Sequence, residues 1–280
     1  MKRAAIVIAV LGISAGTWAQ DKSATQSAPS AQTAPAAQSK RAPAAKTQPE
    51  FDAYKAAIQL TDPAAAEKAA EDFSAKYPDS ELRVVLYKAA MQKYQANADK
   101  NLEMAQKALA IDPDDPEALV TASQVLAEKT RDTDLDRDQK LAEAKKNAER
   151  ALVTVDNDVP TSGFPPEKID QFKRFIRSEA YAILGTLASN AKNYAEAETD
   201  LRKSIEAFPE QVDPVAVLRL AITLDMENKY AEALKYANQA VDLTKSQPDS
   251  PAAKAARSEQ DRLTKLSSGS APGQGAAPQK

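Results

Sequence analysis

Residues 178–211, SEAYAILGTLASNAKNYAEAETDLRKSIEAFPEQ, constrain this chain more than any other stretch. Ile183, Leu184, Leu187 and Ala188 recur at helical spacing, and so do Ala197, Leu201, Ile205 and Phe208, which predicts two helices with one apolar face each. Helices this short are marginal alone in water, so each needs the other as cover. Gly185 is the only glycine between Gly163 and Gly269. Inside a helix it costs about 1 kcal/mol relative to alanine, and close approach of the second helix would explain it. Pro209 stops the second helix, because proline lacks an amide donor and disfavours helix in the residue before it.

The same register returns along the chain. Gly185 lies twelve residues before Ala197, and Ala221 twelve before Ala233. Ala90 lies eleven before Asn101 with Pro113 closing, Ser123 twenty-one before Ala144, and Ala66 twelve before Pro78. The pattern of Tyr181, Leu184, Gly185, Ala197 and Pro209 resembles the tetratricopeptide repeat. Ala188 stands where that family usually has tyrosine, and Ser204 where it usually has alanine. The resemblance implies an all-α, right-handed α-α superhelix, a solenoid of about five helix pairs with a C-terminal capping helix. It would occupy residues 50–266. A fold of this kind serves many unrelated partners, so it says little about function.

Composition narrows the chemistry. The chain has neither cysteine nor histidine, which removes disulfides, thiol chemistry, histidine metal sites and imidazole bases. A formal charge of -3 offers no basic footprint for nucleic acid. No glycine-rich phosphate loop and no nucleophile elbow occurs. A carboxylate-based hydrolase is therefore the weakest of the functional classes, and no cofactor is expected.

At the amino end Lys2 and Arg3 precede an apolar run over 4–13, and Thr17, Trp18 and Ala19 precede Gln20: the layout of a secretory leader over 1–19. The run is too short to span a bilayer, so no membrane span is expected once the leader is cleaved. Without cysteine no lipid anchor is expected at the new amino terminus. Periplasmic or secreted localisation follows. Residues 20–49 are rich in Ala, Ser, Gln, Thr and Pro and read as disordered linker, as do residues 267–280 as a tail.

Residues 154–166 break the helical pattern with Pro160, Pro165, Pro166 and Gly163 and read as a hinge. A second irregularity, RDTDLDRDQKLAE, lies between helices expected over 117–128 and 139–153. Its Asp132, Asp134, Asp136 and Asp138 alternate, and Glu143 follows Asp132 by eleven residues, the spacing of an EF-hand calcium loop. Arg137 occupies the place where that loop needs glycine, and Arg131, Arg137 and Lys140 offset the charge. A solvated insertion with local ion pairs is the simpler expectation.

The tetratricopeptide resemblance implies an inner surface lined by the first helix of each pair. By spacing it takes in Val84, Tyr87, Met91, Tyr94 and Gln95, then Glu117, Val120 and Gln124. It continues with Glu179, Thr186, Ser189 and Asn190, and with Val215, Leu218, Ile222, Asp225 and Met226. Family members that clamp a terminal carboxylate use a cationic cluster that this set lacks. The stripe of Val215, Leu218, Ile222 and Met226 suits an amphipathic helix or an extended apolar peptide. Its alternative role is packing against the terminal helix. The expected function is a non-enzymatic scaffold or adaptor for a protein or peptide partner in the bacterial cell envelope. The alternatives are a component or chaperone of envelope or outer-membrane assembly, and a calcium-modulated binding module.

Overall fold

The computed structural model describes residues 40–159 and 164–267. The leader expected over 1–19, the linker before Lys40, residues 160–163 of the break and the tail from 268 lie outside the described residues. Within them are eleven α-helices and no strand. They are α1 (Gln48–Ile58), α2 (Pro63–Lys76), α3 (Leu82–Lys93), α4 (Ala98–Ile111), α5 (Pro116–Lys129) and α6 (Arg137–Thr154), followed by α7 (Pro166–Asn190), α8 (Tyr194–Ala207), α9 (Pro214–Met226), α10 (Tyr230–Leu243) and α11 (Pro251–Ser267). A 3-10 turn at Pro209–Gln211 lies between α8 and α9.

The helix starts are written in short local motifs. Asp62, Asp115 and Asp213 each accept a hydrogen bond from a first-turn amide, at 2.8, 2.9 and 3.0 Å, and each is followed by proline. The carboxylate satisfies a donor the helix leaves orphaned, and the proline sits where no amide is needed. Ser250 before Pro251 does the same for α11, accepting from the Ala253 amide at 3.2 Å. The turns inside the last two pairs are matched as well. Lys192 and Asn228 both have φ of 63°. The amide of Asn193 reaches back to the Ala188 carbonyl at 2.8 Å, and that of Lys229 to the Leu224 carbonyl at 2.9 Å. Both ends are left-handed caps that satisfy carbonyls of the final turn.

Each helix packs on the next along the whole row, giving five antiparallel pairs with α11 laid on α9 and α10. The small residues of the register are where paired helices touch. A Cβ built on Gly185 would stand 2.6 Å from Leu201 Cγ and 3.1 Å from the Leu201 amide nitrogen. Ser123 Oγ donates to the Ala144 carbonyl at 2.6 Å, and Asn101 Nδ2 to the Met91 carbonyl at 2.7 Å. Ala197, Ala221 and Ala233 are fully buried. The result is the all-α helical solenoid, of tetratricopeptide-like pairs, that the sequence pattern implies.

The odd-numbered helices approach one another directly, α1 to α3, α5 to α7, α7 to α9 and α9 to α11. The even-numbered helices meet across the row through long charged side chains. Lys100 reaches Glu67 at 2.7 Å, Lys145 reaches Glu196 at 3.2 Å, and Arg202 reaches Glu232 at 2.6 Å. The row therefore curves toward the odd-numbered helices, which form its inner face.

Two boundaries differ from the sequence expectation. Residues 40–47, placed by composition in the linker, lie against the loops between pairs. Lys40 is ion-paired with Asp112 and Asp158, its amide donates to the Asn157 carbonyl at 2.7 Å, and Arg41 pairs with Glu81 at 2.6 Å. Ala45 packs on the first core cluster. The described side of the expected hinge is likewise fastened: Val155 and Val159 are buried, and Arg177 pairs with Asp156. One core cluster runs from Leu119 on α5 through Ala148 on α6 to Ile176 and Ile183 on α7. Apolar side chains in the break thus join the two halves despite the prolines.

Candidate peptide-binding face

On the inner face a shallow depression opens between α5, α7 and α9. Gln124, Ala127 and Glu128 contribute from α5, and Glu179, Ala182, Ile183 and Thr186 from α7. Asp213, Val215, Ala216 and Arg219 close it from the start of α9. Helical spacing brings these residues together: Gln124 and Glu128 lie one turn apart, as do Glu179 with Ile183, Ala182 with Thr186, and Val215 with Arg219. Gln124 Nε2 donates to Glu128 Oε1 at 3.0 Å, and Thr186 Oγ1 to its own helix at Ala182 O, 2.7 Å away. Asp213 caps α9 through the Val215 amide. Farther along α9, Ile222 and Met226 remain 37% and 49% exposed.

Of the residues expected to contact a partner, Gln124 and Thr186 border the depression, while Ile222 and Met226 continue its α9 wall. Asn190 is exposed at the last residue of α7. Tyr94 lies at the end of α3, partly buried, with its hydroxyl donating to Glu67 Oε2 at 2.6 Å.

Tyr87, Met91 and Leu218 are placed differently. Tyr87 and Met91 belong to the first core cluster, and Met91 is 2% exposed. Leu218 is 7% exposed and packs with Val217, Ala240 and Ala256, so α10 and α11 cover it. The reason is common to all three: the most apolar stripe of an amphipathic helix goes to the core, and the partner-facing stripe lies beside it. On α3 the neighbouring stripe carries Lys88 and Gln92, which reach Glu117 on α5 at 2.9 and 2.8 Å. Lys88 is held well above its ordinary value; burial lowers it, but Asp115 and Glu117 beside it more than reverse that. On α9 the stripe is Val215, Arg219, Ile222 and Met226, with Arg219 in the place expected for Leu218. Apolar recurrence in the sequence does not mark Arg219 or the three alanines of the depression, because it follows the stripe that goes to the core. The four-residue step from Val215 was the signal available.

The acidic insertion between α5 and α6 is occupied with its own cations. Arg137 pairs with Asp132 at 3.1 Å and Asp138 at 2.8 Å, and Lys140 pairs with Asp136 at 2.9 Å and approaches Asp134 at 3.6 Å. α6 begins at Arg137, about halfway through the span that an EF-hand keeps as loop, so Asp138 and Glu143 ride on a helix. Among the described residues, carboxylate oxygens gathered within 4.8 Å come from Glu67, Glu71 and Glu103, not from this loop. That trio sits on the outer face with Lys100 and Lys107 between its members; Lys107 meets Glu71 at 2.5 Å and Glu103 at 2.9 Å. Two perturbed carboxyls of the second half, Glu198 and Asp200, are likewise on the outer helix α8. Burial pushes Glu198 up, but hydrogen bonds from Lys229 and Arg202 outweigh it and bring it to about 2. Burial pushes Asp200 up, and there Lys203 does not offset it.

These features define an all-helical repeat solenoid whose even-numbered helices are cross-linked by ion pairs and whose odd-numbered helices border a depression. No family model matches the chain, and no curated protein matches it. Among solved structures it is similar to one titled Assembly Chaperone of RpL4 (Acl4), residues 1–338. The two are 14% identical, with a TM-score of 0.39 over 79% of this chain and 97% of that one. Likeness at that level says nothing of what this chain binds. No helix among the described residues is long and apolar enough to cross a membrane.

Proposed function

We propose that this protein is a non-enzymatic scaffold of the bacterial cell envelope, periplasmic or secreted, that binds a segment of a partner protein on its inner face. One observation carries it. On α9, Ile222 and Met226 are exposed in line with Val215 and Arg219, beside an open depression shared by three odd-numbered helices. Extended concave faces of this kind suit a peptide or helix rather than a small molecule. Export is supported by the charged, apolar and small-residue order of positions 1–19.

The test is a comparison of baits on envelope extract. Wild-type protein and a Glu206→Lys variant on α8 should retain the same protein, and Met226→Asp should lose it. Recovery of outer-membrane precursors would direct the reading toward assembly, whereas one soluble protein would mark a dedicated adaptor. Equal recovery by all three baits, or none by any, would remove the inner face from the account. Export is checked separately: the purified envelope form should begin at Gln20, and a retained Met1 would refute it.

A further inference from the structure

Residues 40–47 cross the ends of several helix pairs before the chain enters α1. Pro43 fixes its own backbone angle and keeps Ala42 out of the helical region, so the segment forms no helix of its own. Thr47 caps α1 by accepting from the Glu50 amide at 3.3 Å, and the buried Glu50 carboxylate accepts from the Lys46 amide at 2.7 Å. This double cap fixes the direction in which the segment leaves the helix. Lys46 Nζ then donates to the Asp79 carbonyl at 2.7 Å, and Arg41 pairs with Glu81, both between α2 and α3. Lys40 reaches farther. Its ammonium pairs with Asp112 between α4 and α5 and with Asp158 beyond α6, and its amide donates to the Asn157 carbonyl. The stretch around Asp158 is itself fastened to α7, by Arg177 and Lys173 on Asp156 and by Val159 in the core. A row of stacked pairs is held by contacts between neighbours, yet here the first pair is tied to the junction of the third and fourth. We propose that residues 40–46 are a clasp that couples the first pair to α7 and holds the curvature of the first four pairs, and with it the shape of the inner face. Lys40 is its anchor. Arg41 and Glu81 are largely exposed and their pair contributes little, whereas the side chains of Asp112 and Asp158 are only 18% and 25% exposed. Burial lowers the Lys40 pKa, but the hydrogen bond to Asp112 and the charges of Asp112, Asp158 and Asp115 more than reverse it, so the ammonium stays charged.

The chain has no cysteine, so a pair of spin labels can be placed on the full chain through Ala56→Cys on α1 and Lys168→Cys at the start of α7, both exposed. Electron–electron double resonance should give a narrow distance distribution between them. Lys40→Glu, which sets a carboxylate beside Asp112 and Asp158, should broaden and shift that distribution. It should also speed hydrogen exchange of the Asn157 and Asp158 amides, both bonded to the Thr154 carbonyl, by roughly fivefold or more. Lys68→Glu makes the same change of charge at an exposed pair with Asp72 on α2 and should leave both readings as they are. If Lys40→Glu loses helicity by circular dichroism, Lys40→Met keeps the stem, removes the charge and gives the same answer. An unchanged label distance would overturn the proposal even if exchange speeds up, since the segment could then be released without altering the row. Equal changes in Lys68→Glu would overturn it as well, by showing a response to charge at any site. None of these readings involves a partner, so the clasp and the scaffold stand or fall separately.

Discussion

Replacing Gly185 by alanine sets two effects of opposite sign against each other. Alanine is the better helix former by about 1 kcal/mol, so on an exposed helix face the change would stabilise. Here the new methyl group would stand 2.6 Å from Leu201 Cγ and 3.1 Å from Cδ2 and from the Leu201 amide nitrogen. Leu201 is fully buried, so its side chain has no open space to move into. Overpacking a well-filled core costs about 1 to 3 kcal/mol, and the amide contact forces α8 itself to move, so the upper part of that range applies. The expected net loss for Gly185→Ala is about 1 to 2 kcal/mol in urea unfolding followed by circular dichroism. Leu201→Ala alone should cost about 2 to 5 kcal/mol. With both changes made, the side-chain clash disappears, and the double variant should be less destabilised than the sum by about 1 kcal/mol. Additive losses, or a stabilising Gly185→Ala, would refute the close packing of α7 on α8.

The other expectations address the cap, the ion network and the terminal core. Lys192→Gly should raise stability by about 1 kcal/mol, because Lys192 holds a left-handed conformation at φ 63° that costs a side-chain-bearing residue; a fall in melting temperature would contradict the cap assignment. Glu198 has its carboxyl at about 2 against an ordinary 4.5, so it stabilises the fold fully above about pH 4.5 and loses that contribution as pH drops through about 2. Glu198→Gln should flatten the acid side of the pH–stability curve by at most about 3 kcal/mol, and an unchanged acid limb would show that the network is not formed. Leu218→Asp should lose several kcal/mol by burying an unpaired charge, whereas Met226→Asp should stay within about 0.5 kcal/mol of wild type. Equal effects of the two on thermal unfolding would show that α11 does not cover Leu218.

Helix pairs were legible in the sequence because their contacts depend on small residues at a fixed step. Gly185, Ala197, Ala221, Ala233, Ser123 with Ala144 and Asn101 all meet a partner helix. Helix starts are legible for a different reason, since Asp62 with Pro63 and Ser250 with Pro251 act on their own first turns. The expected inner face falls one stripe off on α3 and at the single position Leu218 on α9, because hydrophobic recurrence marks burial and does not distinguish the core from a groove. Met91 and Leu218 lie on the core side, and Arg219, a cation that such recurrence does not register, lies on the other. The placement of residues 40–47 was not legible, because Lys40 and Arg41 meet Asp112, Asp158 and Glu81 through folding of distant segments. Composition sees only that such residues are polar and loosely spaced.

The central claim is that a partner sits on the side of the odd-numbered helices. A photo-reactive amino acid placed at Thr186 or Ile222, and for comparison at Glu206 on α8, tests it in the living cell. Covalent adducts with one protein from the first two positions, and none from the third, is the predicted result. Adducts formed from Glu206 while Thr186 and Ile222 give none would contradict it.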